Sequence, residues 1–224
     1  MLYLVATPIG NLADITLRAL DTLRTVDLIA AEDTRHSRIL LQHHGIDKPL
    51  VSYHQHNEAM RTAELIQQLR NGTSIAVITD AGMPGISDPG MRLLKAAIQE
   101  QIPHTVLPGA SSVITAVAGS GLVDGPFRYR GFLPVKSGQR ERELQTALAA
   151  EEPSVFLESP HRLLRSLETL AALDPERPLC VARELTKQFE EFRRGTPPQL
   201  LEHFSKKNVK GEIVLLVSGT DTRR

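Results

Sequence analysis

Tryptophan is absent from this 224-residue chain, and three tyrosines and six phenylalanines bring the aromatics to only 4%. A core must therefore be built from Leu, Ile, Val and Ala, and the 41% hydrophobic content is enough to fill one large domain or two small ones. No sign of charge dominates either: 26 Lys and Arg balance 26 Asp and Glu. That excludes a surface coated with nucleic-acid-binding charge, although it leaves room for a local basic patch. The single cysteine, Cys180, rules out an internal disulfide and a thiolate zinc site. No apolar run approaches a membrane span, and Met1-Leu2-Tyr3-Leu4-Val5 lacks a basic n-region. The expectation is a cytoplasmic protein without a signal peptide. Repeats, heptads and low-complexity segments are lacking as well.

What is present is alternation. Leu2–Ala6, Asp27–Ala31, Ser74–Thr79 and Thr105–Leu107 read as strands. Ile15, Leu17, Leu20 and Leu23 recur with helical spacing between them, as do Ala63, Leu65, Ile66 and Leu69. Strands separated by helices predict βαβ units and a mainly parallel sheet. Ala110 to Ala118 reads as a buried helix, and "GSGLVDGP", residues 119–126, as a linker. Beyond it the rhythm resumes. Ser154–Glu158, Leu179–Ala182, Phe189–Arg193 and Glu212–Ser218 read as strands, the last one central because it runs apolar without alternating. Helices are expected near Gly138–Ala149 and His161–Leu173. The fold class is α/β with two α/β domains, residues 1–118 and 127–224.

Three loops hold glycine and proline at strand ends: Ala6–Leu12, "DAGMPGISDPG" (residues 80–90) and Leu107–Ser112. Turn geometry alone explains most such stretches. The second is longer than a minimal connection, carries Asp80 and Asp88, and leaves the carboxyl end of a strand, where open α/β sheets hold ligands. It is neither a Gly-x-Gly-x-x-Gly loop nor a P-loop. The three loops together form the rim of a pocket in this reading, while Ser111 is equally explained as a helix cap.

Several segments carry a resemblance: "TPIGNLADITLRAL" (Thr7–Leu20), "AAEDTRHS" (Ala30–Ser37), "DAGMPGISDPG", "LPGASSVITA", "GFLPVKSGQR", "ESPHR" (Glu158–Arg162), "ARELTK" (Ala182–Lys187) and "KGEIVLLVSG" (Lys210–Gly219). In this order, and across essentially the whole chain, they are similar to the bacterial small-subunit ribosomal RNA cytidine 2′-O-methyltransferases of the tetrapyrrole methylase superfamily. The resemblance implies a homodimeric two-domain enzyme that binds S-adenosylmethionine in the cleft between its domains. It implies methyl transfer to a cytidine ribose in the decoding region. Carried over by motif, cofactor binding falls to Pro8, Asp80, Ala81, Gly82, Ile86, Ser87, Asp88, Pro108 and Ser111, with Glu158, Ala182 and Glu212 from the second domain. Met83 stands where the family commonly has threonine, so a hydroxyl contact there is lost.

The chemistry is compatible with these residues. Asp80 and Asp88 suit the cationic groups of the donor, and in-line methyl transfer demands alignment more than a metal. The ribose proton must leave to a base or to water, with Glu158, Glu184 and Lys187 as candidates. Salt bridges Arg183–Glu184 and Glu158–Arg162 are the plainer explanation for these carboxylates. For RNA, Phe127–Arg142 interleaves Phe127, Tyr129 and Phe132 with Arg128, Arg130, Lys136, Arg140 and Arg142, and "DTRHSR" adds Arg35, His36 and Arg38. Arg193, Arg194, Lys206, Lys207 and Lys210 read as a solvated face.

Some constellations are declined. His43-His44 and His54-x-His56 lack a ligand set with zinc spacing and belong to a helix end and a loop. Gly85–Pro89 falls one residue short of a Gly-x-Ser-x-Gly elbow, and Cys180 reads as core. Two alternatives stand beside the leading one: a tetrapyrrole methyltransferase, which would need no arginine-rich loop, and a non-catalytic ribosome-binding factor.

Overall fold

The computed structural model describes residues 1–206 and 208–220, in two compact units that divide between Ser111 and Ser112. Lys207, expected on a solvated face, lies outside the described residues.

The first unit runs β1 (Leu2–Val5), α1 (Leu17–Thr25), β2 (Leu28–Ala31), α2 (Thr34–His43), β3 (Leu50–Ser52), α3 (Glu58–Arg70), β4 (Ile75–Ile78), α4 (Met91–Gln99) and β5 (His104–Leu107). Its sheet is wholly parallel in the order β3-β2-β4-β1-β5. Every residue of β2 and β4 is buried, which is why those strands read as unbroken apolar runs. One cluster of Leu2, Leu65, Leu69, Ile75, Val77 and Leu93 and another of Val5, Leu20, Leu23, Ile29, Leu41 and Ile78 form the core. α1 starts at Thr16, whose hydroxyl oxygen accepts from the Ala19 N–H at 3.1 Å. The strand order makes the loops leaving β2, β4, β1 and β5 consecutive along one sheet edge.

The second unit contains α5 (Ser112–Ser120), β6 (Arg128–Phe132), α6 (Ser137–Leu148), β7 (Ser154–Glu158), α7 (Leu163–Leu173), β8 (Leu179–Arg183), β9 (Glu191–Gly195), α8 (Pro197–Ser205) and β10 (Ile213–Val217). Its sheet order is β6-β7-β10-β8-β9, so β10 is central, as its run of buried residues requires. Only β6–β7 is parallel; the other three pairings are antiparallel. Phe156, Leu167, Leu170, Val181, Leu200, Phe204 and Leu215 fill the core.

The division at Ser111/Ser112 differs from the boundary at 119–126. α5 packs on β8, β9 and β10 and so goes with the second unit. Arg194 of β9 accounts for this. Its guanidinium donates to the carbonyls of Ser120 (2.6 Å) and Gly119, capping the carboxyl end of α5. Gly119 completes the fit, because a Cβ there would lie 2.4 Å from the Phe192 ring. Arg194 is exposed, as expected for it, and in addition caps a helix end.

Candidate cofactor and RNA site

In the first unit the three glycine–proline loops meet. The Thr7 N–H donates to the Gly82 carbonyl at 2.9 Å, and the Gly82 N–H returns a bond to the Thr7 carbonyl at 3.0 Å. The buried Thr7 hydroxyl donates to the Thr79 carbonyl at 3.0 Å. Gly82 adopts φ +82°, a conformation that side chains rarely take. The third loop approaches as closely: a Cβ on Gly109 would stand 2.7 Å from the Ala6 Cβ. Ser87 holds φ +65°, a left-handed backbone costly for a serine and common at ligand clamps.

A fourth loop, after β2, joins them through acids. The Asp80 N–H donates to the Glu32 carboxylate at 3.3 Å, and the Asp33 N–H donates to the Asp80 carboxylate at 3.1 Å. Burial pushes the Glu32 carboxyl upward, and the neighbouring Asp80 charge adds to that push against the Asp80 N–H bond. Asp33 behaves oppositely. The Arg35 guanidinium, 3.0 Å away, and the Arg35 N–H it caps hold it down at about 2. Sequence reasoning singled out Asp80 and passed over Glu32, because only the adjacency of β2 and β4 brings the two together.

Of the other first-unit residues, Pro8 is buried, Ala81 and Asp88 are half-buried, and Ile86, Ser87 and Pro108 are exposed. Ser111 immediately precedes α5. Met83 is half-buried and its carbonyl accepts from the Ile86 N–H at 3.3 Å; nothing in the structure explains a methionine there.

In the second unit Glu158 is 3% exposed. Its carboxylate accepts from Arg162 (2.9 Å), the Ser166 hydroxyl (2.5 Å) and the Ser159 N–H (2.7 Å). The ion pair with Arg162 is the one expected, whereas Arg183 pairs with Glu191 and not with Glu184. Glu184 holds Lys187 at 2.9 Å and accepts from the Glu212 N–H at 3.1 Å, and Lys187 also reaches Glu212 at 3.1 Å. Burial opposes ionisation of Glu184, but the hydrogen bonds from Lys187 and the Glu212 backbone outweigh it and the carboxyl lies low. Burial likewise opposes the Lys187 charge, and its two carboxylate partners raise it. Both groups are therefore charged at neutral pH. Ala182, inside β8, is fully buried between β10 and β9.

The proposed RNA contacts differ in exposure. Arg35, Arg38, Arg128, Lys136 and Arg142 are exposed, although Arg35 pairs with Asp33 (3.0 Å) and Arg128 with Glu152 (2.8 Å); Arg35 and Arg38 line an open hollow of about 290 Å³ on α2. Arg130 is half-buried and pairs with Glu143 (2.9 Å). Arg140 is only 6% exposed and donates to the Val135 carbonyl at 3.2 Å. Among the described residues no group of three His, Cys, Asp or Glu side chains is arranged to hold a metal, and no helix is long and apolar enough to cross a membrane.

The family model for tetrapyrrole (corrin/porphyrin) methylases matches residues 1–201. This chain belongs to that family. Its methyl donor is S-adenosylmethionine. The chain is 49% identical over 220 residues to the "Ribosomal RNA small subunit methyltransferase I" of Synechocystis, covering 98% of this chain and 79% of that protein. It is 48% identical to the protein of the same name from Mesorhizobium japonicum, with 99% and 76% covered. The solved methyltransferase CobJ superposes at a TM-score of 0.73 with 19% identity, covering all of this chain and 95% of its own. A uroporphyrin-III-C-methyltransferase from Thermus thermophilus superposes at 0.69 with 23% identity, covering 99% and 94%. The last two likenesses establish the fold alone. The residues present suit the donor: Glu32 and Asp80 offer carboxylates to cationic groups, and the glycine loops expose backbone.

Proposed function

We propose that this methylase transfers a methyl group from S-adenosylmethionine to the ribose 2′-oxygen of a cytidine in small-subunit ribosomal RNA, acting as a homodimer in the cytoplasm. The observation that carries the reading is near-half identity, over almost the whole chain, to proteins named as methyltransferases of that RNA. The cofactor supplies an electrophilic methyl on a sulfonium. The Thr7–Gly82 bridge and the close Ala6–Gly109 approach hold the loops that carry Pro8, Ala81, Gly82, Ile86, Ser87, Asp88, Pro108 and Ser111 around it. Asp80 and Asp88 face its positive charge. Glu158, Ala182 and Glu212 complete the assignment on the family motif.

Neither Glu184, with its lowered carboxyl, nor the raised Lys187 is a strong base at neutral pH. Glu158 is enclosed by three donors. The three are best assigned to positioning, with alignment carrying the transfer and water taking the proton. Arg35, Arg38, Lys136 and Arg142 meet RNA phosphates.

The test is methyl incorporation into small ribosomal subunits followed by nucleoside analysis. 2′-O-methylcytidine is the expected product; a base-methylated nucleoside, or transfer to a tetrapyrrole in place of RNA, overturns the reading. In calorimetric titration Asp88→Ala weakens S-adenosylmethionine binding about ten-fold, the value of a charged hydrogen bond. Unchanged affinity removes Asp88 from the site, and a wild-type chain that binds no cofactor removes the enzyme.

A further inference from the structure

The segment between β6 and α6 is held more firmly than a connection requires. The register of β6 against β7 shifts between Tyr129 and Phe132, with Gly131 at φ +69° inside the irregularity. Bulges of this kind re-aim the next side chain. Leu133 then enters the core at 1% exposure, and its N–H donates to the Leu157 carbonyl at 3.1 Å. Two guanidiniums strap the turn from Leu133 to Val135. Arg162, itself paired with buried Glu158, donates to the Leu133 carbonyl at 3.1 Å, and Arg140 donates to the Val135 carbonyl at 3.2 Å.

The outward face of this rigid turn is apolar. Phe132 is 59% exposed and Val135 76%, and exposed Lys136 comes directly after them. In a chain with only six phenylalanines, exposing one at the end of β6, directly before a doubly strapped turn, costs burial that its neighbour Leu133 obtains. An aromatic face beside a cation matches the chemistry of an unpaired nucleotide: a ring to stack on and a phosphate to neutralise.

We propose that Phe132 stacks on an unpaired base of the RNA substrate with Lys136 at its phosphate. Arg162, Glu158 and Arg140 are the positioning residues that hold this platform. The inference rests on the reading of the protein as an RNA methylase. It also moves recognition away from Arg130 and Arg140, whose guanidiniums are engaged within the protein on largely buried side chains.

The test measures affinity of the intact chain for small ribosomal subunits by co-sedimentation, with S-adenosylmethionine affinity determined in parallel. Phe132→Ala weakens subunit binding about ten-fold, within the range that loss of one stacked base produces. Phe132→Tyr restores it, Phe132→Leu does not, and cofactor affinity stays constant throughout. Arg162→Lys weakens subunit binding too, and combining it with Phe132→Ala adds nothing further, because both act through one turn. Wild-type affinity in Phe132→Ala, rescue by leucine or additive effects would each overturn the platform. Conversion of a dimer to monomers by Phe132→Ala also overturns it, since the patch would then face a second copy. Binding needs no turnover, so a wild type that binds subunits without methylating them removes the proposed reaction and leaves the platform standing.

Discussion

Glu32 and Asp33 are sequence neighbours with opposite electrostatics. Asp33 spends its charge on a helix cap and an arginine, while Glu32 is drawn into the sheet edge beside Asp80. Because burial raises the folded-state value of Glu32, its contribution to stability is complete below the ordinary carboxylate range. It is lost as pH rises through the raised value. Glu32→Gln keeps an oxygen for the Asp80 N–H and removes the titration. Urea unfolding from pH 4 to 8 should therefore give a flatter stability profile for the variant, exceeding wild type at neutral pH by less than about 1 kcal/mol, since solvent still screens the site. A wild-type profile that rises over the same interval would contradict the assignment.

A turn can depend on a side chain far away in sequence. Gly211, at φ +89°, lies under the Glu184 side chain, and a Cβ there would stand 2.1 Å from its Oε1 and 2.2 Å from its Cδ. Glu184 itself is left-handed at φ +51° and Thr186 at +64°, so the connection leaving β8 is strained and is held by Lys187 and the start of β10. Gly211→Ala should destabilise by about 1–3 kcal/mol in denaturant unfolding, combining backbone strain with loss of the Glu184 contacts. Gly72→Ala supplies the comparison. It shares a positive φ (+93°) but has nothing within 4 Å, so it should cost strain alone. Equal effects at the two positions would show that the Glu184 contact contributes nothing.

The whole chain should respond to its cofactor. A ligand held only by the folded state at a hundred times its dissociation constant adds about 2.7 kcal/mol. For a chain of this length each kcal/mol raises the melting temperature by roughly 2–4 °C. Scanning calorimetry with saturating S-adenosylmethionine should therefore show a rise of about 5–11 °C. No shift at concentrations that saturate the calorimetric titration would mean that the unfolded chain binds as well.

Strand positions were legible where burial was complete, whereas α4 and α8, which bury Leu93 and Phe204, were not foreseen. β2, β4, β7 and β10 are written as apolar runs, and the helical spacing of Leu20 and Leu23 marks α1. β3 escaped because three half-buried residues carry no pattern, and β6 because an edge strand keeps its arginines. The antiparallel pairing of the second sheet was likewise invisible, since alternation of elements does not encode strand direction. The glycine–proline loops, their aspartates and the family they belong to stand in the primary order of residues, as does the poverty of aromatics. Which groups are left to act does not. Glu32 meets Asp80 only because β4 inserts beside β2, and Arg130 and Arg140 turn inward only because Glu143 and the Val135 carbonyl await them. Residue type sets what a side chain is able to do, and the partners brought to it by long-range packing set whether it remains available to do it.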